Sequence, residues 1–522
     1  MSSIFRSVSI LILGLFLASC AAPTSPSPTR TPIDAPLPVA ETSSPIAYQD
    51  FLKDPACHSD QQTAALNSDH QNDLEIAGIN ACYELTLQID ASGLSYTGTL
   101  NLAYLNESPS EITDLVFRLY PNTTYNYAGQ LTVDSVEIAN QSVQTQDFLK
   151  DHSALRILMP QALEPWKTAH AKLSFHGQVP ESNSTYGIFN HDPTNNLLTL
   201  ANWYPILAAR NANGWLAEEI SPLGDAVTSE TGLFHVIIQS PAEWKVAETG
   251  TQVRQETRGD IQEIEVVSGP TRDFMIAASP NFIVSEIENN LGIVREWALP
   301  GNEIAQKDGL QVANQALELF SEKFGEYPFN ELDVVSMPIN NASGVEYPGL
   351  IMIGHYLYAP EKDFNIRAMV IAHEVAHQWW YSVIGNDVQE NPWQDEALTS
   401  YSSFEYLESI NPSFLDGTIQ YFENSVSEFE KSSGESKLKI GDPLSVYQDQ
   451  SAAYASLVYQ KGALFFWELR KKIGDTSFGA ALSDYYQQNA YQFVGPEVLL
   501  SAFEKQCGCD LTDFYQEWGV TP

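Results

Sequence analysis

The chain has 522 residues, enough for two or three domains, and its 43% hydrophobic content is that of a globular protein. Its 26 Lys and Arg stand against 66 Asp and Glu, which gives a formal net charge of -40. Because so acidic a surface repels phosphate backbones, we expect no nucleic-acid partner.

The N-terminal residues predict an exported lipoprotein. Arg6 precedes an apolar run over 10–18, which is too short to cross a bilayer as a stable helix. The run ends in Leu-Ala-Ser-Cys over 17–20, which resembles the lipobox of bacterial lipoproteins. That resemblance implies a signal peptide over 1–19 and acylation of Cys20. We therefore expect an extracytoplasmic protein, lipid-anchored to a bacterial membrane; a plain signal peptide with a chance cysteine is the alternative.

A proline-rich stretch follows the expected acylation site. Seven prolines occur among Ser, Thr and Ala between residues 21 and 45. This composition favours a semi-rigid, extended tether. We therefore divide the mature chain into a tether over 20–48, a β-rich domain over 49–301 and a mostly helical domain over 302–522.

The remaining cysteines favour disulfides. Their number is even, as expected in an oxidising compartment, and they allow three pairings. We favour Cys57 with Cys82, a loop that the chain-entropy model values at about 3.5 kcal/mol. Cys507 and Cys509 flank one glycine and are interpreted as a structural pair, with a metal or redox pair as the alternative.

Between residues 80 and 300 the pattern is that of β-strands. Apolar residues alternate with polar neighbours, as at Tyr83, Leu85 and Leu87. Turn clusters separate further predicted strands; these lie at 100–104, 115–120, 234–239, 261–267 and 274–278. The pattern favours an antiparallel sheet or sandwich.

After residue 302 the apolar period becomes helical. Leu310, Leu317 and Phe324 share a helical face that ends at Gly325. Two short strands are predicted at 332–337 and 349–354. Helices are then predicted at about 363–384, 394–409, 412–431, 453–473, 478–488 and 496–506. The fold class is therefore multi-domain α+β, with a small sheet near the start of the helical domain.

One helix carries a metal-binding pattern. His373 and His377 are four residues apart, so they lie on one face of a helix and can grip one ion. Glu374 lies beside the ion, where a general base would take a proton from water. A catalytic zinc needs a third protein ligand, and Glu396 follows His377 by nineteen residues at the start of the next helix. The alternative is a buried helix whose two histidines are satisfied by hydrogen bonds.

This arrangement resembles the gluzincin aminopeptidases of the aminopeptidase N family, whose zinc signature is His-Glu-x-x-His, eighteen residues, then Glu. Residues 343–349 are similar to the family's Gly-x-Met-Glu-Asn substrate motif, with Gly344, Val345 and Glu346 in matching positions. The resemblance implies that Glu346 binds the free α-amine of a substrate. It also implies that Tyr459, which precedes Lys-Gly as in the family, stabilises the oxyanion.

Several residues depart from the family pattern. Val345 and Tyr347 replace its Met and Asn, and Ala397 replaces the Gly after the zinc glutamate. For the second amine-binding group, which comes from the β-domain in the family, Asn202 is the nearest candidate. The family usually continues into a large helical C-terminal domain where this chain ends, so we expect a divergent member without that domain and with a more open cleft.

Together these features predict a thermolysin-like catalytic domain with one Zn²⁺ per chain. The expected reaction is removal of N-terminal residues from extracytoplasmic peptides with free N-termini. One alternative is a zinc endopeptidase with an open cleft, which Glu346 and Tyr459 disfavour. Another is a non-catalytic, peptide-binding surface lipoprotein, which the intact ligands and base disfavour.

Overall fold

The computed structural model describes residues 45–76, 78–181, 186–432 and 438–520. The expected signal peptide, Cys20 and most of the tether therefore lie outside the described residues. The last residues assigned to the tether begin a helix, α1 (Pro45–Phe51). Within the described ranges, every helix is too short or too polar to span a bilayer.

Short helices open the first half and strands fill it. Helix α2 is Ser59–Gln62, and 3-10 helices lie at Pro55–Cys57, Thr63–Ala65, Ser68–Glu75 and Tyr120–Asn122. The strands are β1 (Ala81–Ile89), β2 (Ser95–Leu105), β3 (Ile112–Arg118), β4 (Gln130–Ile138), β5 (Gln141–Ser142), β6 (Thr145–Asp147), β7 (Ala154–Leu163), β8 (Thr168–Gln178), β9 (Phe189–Asp192), β10 (Leu197–Ala201), β11 (Ile206–Leu207), β12 (Arg210–Asn211), β13 (Gly214–Trp215), β14 (Gly232–Pro241), β15 (Lys245–Glu248), β16 (Thr251–Arg258), β17 (Ile261–Thr271) and β18 (Met275–Ser279).

These strands form a large sheet, two four-stranded sheets and the two-stranded sheet β12-β13. The large sheet has eight strands in the order β16-β17-β14-β1-β2-β8-β4-β5, and the four-stranded sheets run β15-β18-β10-β9 and β11-β3-β7-β6. Leu85, Leu100 and Val236 from the large sheet are fully buried in one apolar core with Leu200 and Ile276 from a smaller one. Alternation along the strands produces this core, since every second side chain faces the other sheet.

The predicted sheet is antiparallel, but one pair differs. Strands β1 and β14 run parallel, with Tyr83 opposite Phe234. Parallel neighbours need a long connection, and more than a hundred residues of other strands separate these two. The favoured disulfides are both confirmed: Cys57 bonds to Cys82 at the start of β1, and Cys507 bonds to Cys509.

The second half contains a five-stranded sheet and a set of helices. The strands are β19 (Ile283–Asn289), β20 (Gly292–Ala298), β21 (Glu331–Met337), β22 (Gly344–Tyr347) and β23 (Leu350–Gly354), in the order β19-β20-β21-β23-β22. The helices are α3 (Glu303–Lys323), α4 (Phe364–Ala376), α5 (Pro392–Ile410), α6 (Pro412–Ser432), α7 (Leu444–Tyr447), α8 (Ser451–Tyr454), α9 (Gly462–Ile473), α10 (Asp475–Asn489), α11 (Pro496–Cys507) and α12 (Thr512–Trp518), with a 3-10 helix at His355–Tyr358 and a π-helical turn at Ala455–Lys461.

The five-stranded sheet crosses the domain boundary drawn at 301/302. Strands β19 and β20 were assigned to the first domain, yet β20 pairs in parallel with β21. Alternation alone cannot tell which sheet a strand joins, because the same pattern serves either one.

Two predicted helices are wrong in their extent. The helix expected over 363–384 ends at Ala376, because the chain turns there and buries Trp379 and Trp380 in the core. The helix expected over 453–473 is interrupted by the π-helical turn Ala455–Lys461. Apolar periodicity continues through both interruptions, so it does not mark them.

Candidate active site

Helices α4 and α5 bring three ligand atoms to one point. The side chain of Asp363 caps α4 at Asn365 N, and Pro392 opens α5, which places Glu396 in its second turn. His373 Nε2 lies 3.2 Å from His377 Nε2 and 3.2 Å from Glu396 Oε2. The three ligand atoms all lie within 4.8 Å of one another.

A second carboxylate orients one of the histidines. Asp395 is fully buried, and its Oδ1 lies 2.7 Å from His377 Nδ1. Burial lowers the pKa of both His373 and His377, which favours neutral rings. With Nδ1–H of His377 donating to Asp395, the lone pair on Nε2 faces Glu396. The sequence motifs do not predict Asp395, although it directly precedes the third ligand, Glu396.

The donor set fits a zinc ion. Two neutral imidazole nitrogens and one carboxylate oxygen are a ligand set of catalytic zinc sites. Burial raises the pKa of Glu396 to about 7, and a cation beside it would favour the charged carboxylate. Buried carboxylates are paired or bind metals, and Glu346, Glu374 and Asp395 are buried close by. A divalent cation would balance the negative charge of these buried carboxylates.

Glu374 faces the same cavity and touches the backbone of β22. Burial raises its pKa well above the usual range, and neighbouring carboxylates add to the effect. A Cβ built on Gly344 would lie 2.2 Å from Glu374 Oε1. Only a glycine at this position lets the strand approach the carboxylate so closely.

Gly344→Ala should therefore displace Glu374 and impair any reaction that depends on it. A misplacement of about 1 Å can cost about 10²-fold in rate, so we expect a kcat loss of that order with an unchanged melting temperature. Gly479→Ala is the matched control, because nothing lies within 4 Å of the added Cβ in helix α10. Equal activity of both variants would contradict the assigned contact.

Strand β22 places Glu346 beside the metal cluster. Its Oε2 lies 3.9 Å from His377 Nε2, and its side chain is buried. Gln378, which follows the second histidine, fixes this strand to α4. Its Nε2 donates to Tyr347 O at 3.0 Å, and its Oε1 accepts from Gly349 N at 2.8 Å. These two hydrogen bonds therefore hold the strand that carries Glu346 against the helix that carries the two histidines.

The loop between β13 and β14 contributes a carboxyl group that the sequence analysis missed. Asp225 is hydrogen-bonded to Glu396, and burial raises its pKa to about 8. Asn202, the candidate for this place, instead accepts from Tyr127 Oη at 2.6 Å and donates to Asp273 Oδ2 at 3.3 Å. Asn202 thus braces the β-domain core, while Asp225 faces the cluster. A lone acid in an irregular loop carries no spacing signal.

The π-helical turn carries Tyr459 to the cluster. Its hydroxyl donates to Glu396 Oε1, and its ring centroid lies 6.0 Å from that of His373. The next turn packs closely on α5, since a Cβ on Gly462 would lie 2.4 Å from the Ala397 Cβ. Ala397, which departs from the family glycine, thus faces a glycine on the neighbouring helix.

One cavity of about 720 Å³ collects these groups. Its wall contains every predicted site residue of the described chain except Asn202, together with Asp225. These residues are Asp225, Gly344, Val345, Glu346, His373, Glu374, His377, Glu396 and Tyr459.

The sequence is similar to known peptidases. Residues 309–518 match the peptidase family M1 domain. Aminopeptidase M1-B of Oryza sativa subsp. japonica is 23% identical over 295 residues, which is 55% of this chain and 34% of that protein. Aminopeptidase N of Streptomyces lividans is 24% identical over 215 residues, 40% of this chain and 25% of that protein. The chain thus spans about a third or less of these curated relatives.

Solved structures share the fold over most of the chain. The M1 zinc metallopeptidase from Deinococcus radiodurans superposes with a TM-score of 0.63 at 18% identity, over 85% of this chain and 95% of its own. A mutant of it bound to a Tyr-Ser-Ala substrate gives a TM-score of 0.62, also at 18% identity, over 85% and 94% of the two chains. Residues 309–518 therefore carry a peptidase family M1 domain, and the chain shares its fold with solved M1 zinc metallopeptidases.

Proposed function

We propose that the protein is a zinc aminopeptidase that removes N-terminal residues from peptides. The observation that carries this proposal is the buried carboxylate of Glu346, whose Oε2 lies 3.9 Å from the ligand nitrogen of His377. A carboxylate beside the metal cluster can pair with the ammonium group of a free N-terminus. Such pairing fixes cleavage one residue from the chain end. Hydrolysis of free but not N-blocked substrates tests this proposal.

His373, His377 and Glu396 would hold the zinc ion. Zinc, when bound, supplies a Lewis acid that activates water and polarises a carbonyl group. Glu374 takes the proton of the attacking water and passes it to the leaving amine. Burial suits it for this role, because burial raises its pKa and a carboxylate with a raised pKa is a stronger base.

Asp225 is proposed as the second carboxyl group around the substrate amine. It belongs to the β-domain and reaches the metal cluster through a hydrogen bond to Glu396. No sequence motif marks its position. Together with Glu346 it places two carboxyl groups at the end of the cavity, and a bound ammonium group would favour their charged forms. Such an end attracts an ammonium group and disfavours an acetylated N-terminus, whose amide is neutral.

Tyr459 is proposed to stabilise the oxyanion, since its hydroxyl already reaches the cluster through Glu396 Oε1. Tyr459→Phe should lower kcat by about 10²- to 10³-fold, the usual cost of one oxyanion donor. Zinc content measured in parallel separates this loss from a loss of metal. Tyr125→Phe is the control, because Tyr125 lines the same cavity and is 53% exposed. A fully active Tyr459→Phe would refute the assignment.

We further propose that the protein acts outside the cytoplasm, anchored through an acylated Cys20. The two disulfides of the described residues support this location, because disulfides persist in oxidising compartments. Cys20→Ala should move the protein from the membrane fraction to the soluble fraction after cell fractionation. Cys20→Ala protein that stays with the membrane would argue against acylation.

A further inference from the structure

A second group of metal-ligating side chains lies on the large sheet, among residues that the catalytic mechanism does not use. One ring nitrogen each of His58 and His235 and one carboxylate oxygen of Glu84 lie within 4.8 Å of one another. Imidazole and carboxylate groups together are ligands for zinc and related divalent ions.

The sheet itself places two of these ligands side by side. Glu84 on β1 lies directly opposite His235 on β14 in the parallel register. Asn101 Nδ2 on the next strand donates to Glu84 Oε2 at 2.7 Å, which leaves Oε1 available to a ligand. Neighbouring strands therefore hold the carboxylate in position before any ion binds.

His235 has the surroundings of a metal ligand. Its side chain is only 7% exposed, and its Nε2 lies 2.9 Å from Glu265 Oε1. With Nε2–H donating to Glu265, the lone pair rests on Nδ1, which is buried without a hydrogen-bond partner among the described residues. Metal-binding histidines commonly donate their other ring N–H to a carboxylate in this way.

His58 covers the pair from the segment that precedes the sheet. Its Nε2 lies 3.3 Å from Glu84 Oε1, and its ring stacks on that of His235 with centroids 3.7 Å apart and planes 8° apart. Parallel rings cannot both direct a nitrogen at one ion. Binding therefore requires the ring of His58, whose side chain is 24% exposed, to turn out of the stack.

The geometry points to a second Zn²⁺ site formed by His58, Glu84 and His235, with Glu265 orienting His235. The ion would tie the segment at residues 55–65 to the large sheet. The disulfide between Cys57 and Cys82 makes the same connection, since each cysteine lies within two residues of a proposed ligand. The site is separate from the catalytic cluster, and its existence does not depend on the proposed peptidase activity.

Zinc content of the full chain tests this site. Metal-free protein is dialysed against micromolar free Zn²⁺, and zinc per chain is measured by mass spectrometry. We expect two zinc ions in the parent protein, one in His58→Ala, and one in His373→Ala/His377→Ala. His58→Ala should keep its peptidase activity. His176→Ala is the matched control, because His176 also pairs with a carboxylate, Asp134 at 2.9 Å, but has no second histidine.

The outcomes are distinct. Zinc content that is the same in His58→Ala and the parent would overturn the proposal, and so would a parent protein with a single zinc that only His373→Ala/His377→Ala removes. Glu84→Gln, which keeps the size of the side chain and its hydrogen-bonding capacity, guards against misfolding as the cause of metal loss. It should also lose one zinc. If the parent protein is inactive and the His373→Ala/His377→Ala variant still holds one zinc, the peptidase proposal is refuted and the second site is supported.

Discussion

Glu374→Gln should lower kcat by about 10²- to 10⁴-fold and leave zinc bound. The amide has the size of the carboxylate but cannot take a proton from water. Glu374 is also not among the three ligand residues that converge within 4.8 Å, so its replacement leaves the metal cluster intact. Steady-state kinetics on amino-acid p-nitroanilides, with zinc content measured on the same samples, give both quantities.

Glu361→Gln serves as the control for this experiment. Glu361 is exposed and is not among the residues that line the cavity, so its loss of charge should leave kcat unchanged. Full activity of Glu374→Gln would remove Glu374 from the role of general base. Loss of zinc together with activity would instead assign it a role in holding the metal.

Glu346→Gln should lower kcat/KM on free N-terminal substrates by about 10²- to 10³-fold. Removing one partner of a buried charge pair typically costs 2–5 kcal/mol, and the substrate ammonium would lose such a partner. N-acetylated p-nitroanilides, which lack the ammonium, should be hydrolysed poorly by the parent protein and hardly affected by the substitution. The ratio of the two rates therefore reports recognition of the chain end.

Asp225→Asn and the double variant show whether the two carboxyl groups act together. Residues that bind one ammonium group should be non-additive, and a double-mutant cycle measures that coupling. Asp449→Asn is the control for charge alone, since Asp449 lies exposed at the rim of the same cavity. Equal turnover of free and N-acetylated substrates by the parent protein would contradict the aminopeptidase proposal and favour the endopeptidase alternative.

The sequence predicts the metal cluster better than its surroundings. His373 and His377 are one helical turn apart, and Glu396 follows at the start of the next helix, so one continuous stretch of sequence contains all three ligands. Asp225 depends on a loop whose path is set by contacts with distant residues. No periodicity describes such a loop, and the sequence analysis therefore chose Asn202, which the structure places in the β-domain core.

The same division applies to the fold. Alternation predicts strands such as β1, β2 and β17 with their core-facing residues, because that pattern is local. It predicts neither the parallel pairing of β1 with β14 nor the sheet that β20 joins. Several strands have similar alternation, so the pattern does not tell which of them become neighbours. The packing of the whole domain decides each pairing.

The π-helical turn Ala455–Lys461 has a consequence for how this protein can change over evolutionary time. Such a turn holds about one residue more than an α-helical turn, so deleting a single codon there would yield an ordinary helix. Each residue of an α-helix advances about 100° around its axis, so Tyr459 would swing away from the cluster. One small deletion would thus give a folded descendant that retains its metal ligands but lacks the contact between Tyr459 and Glu396.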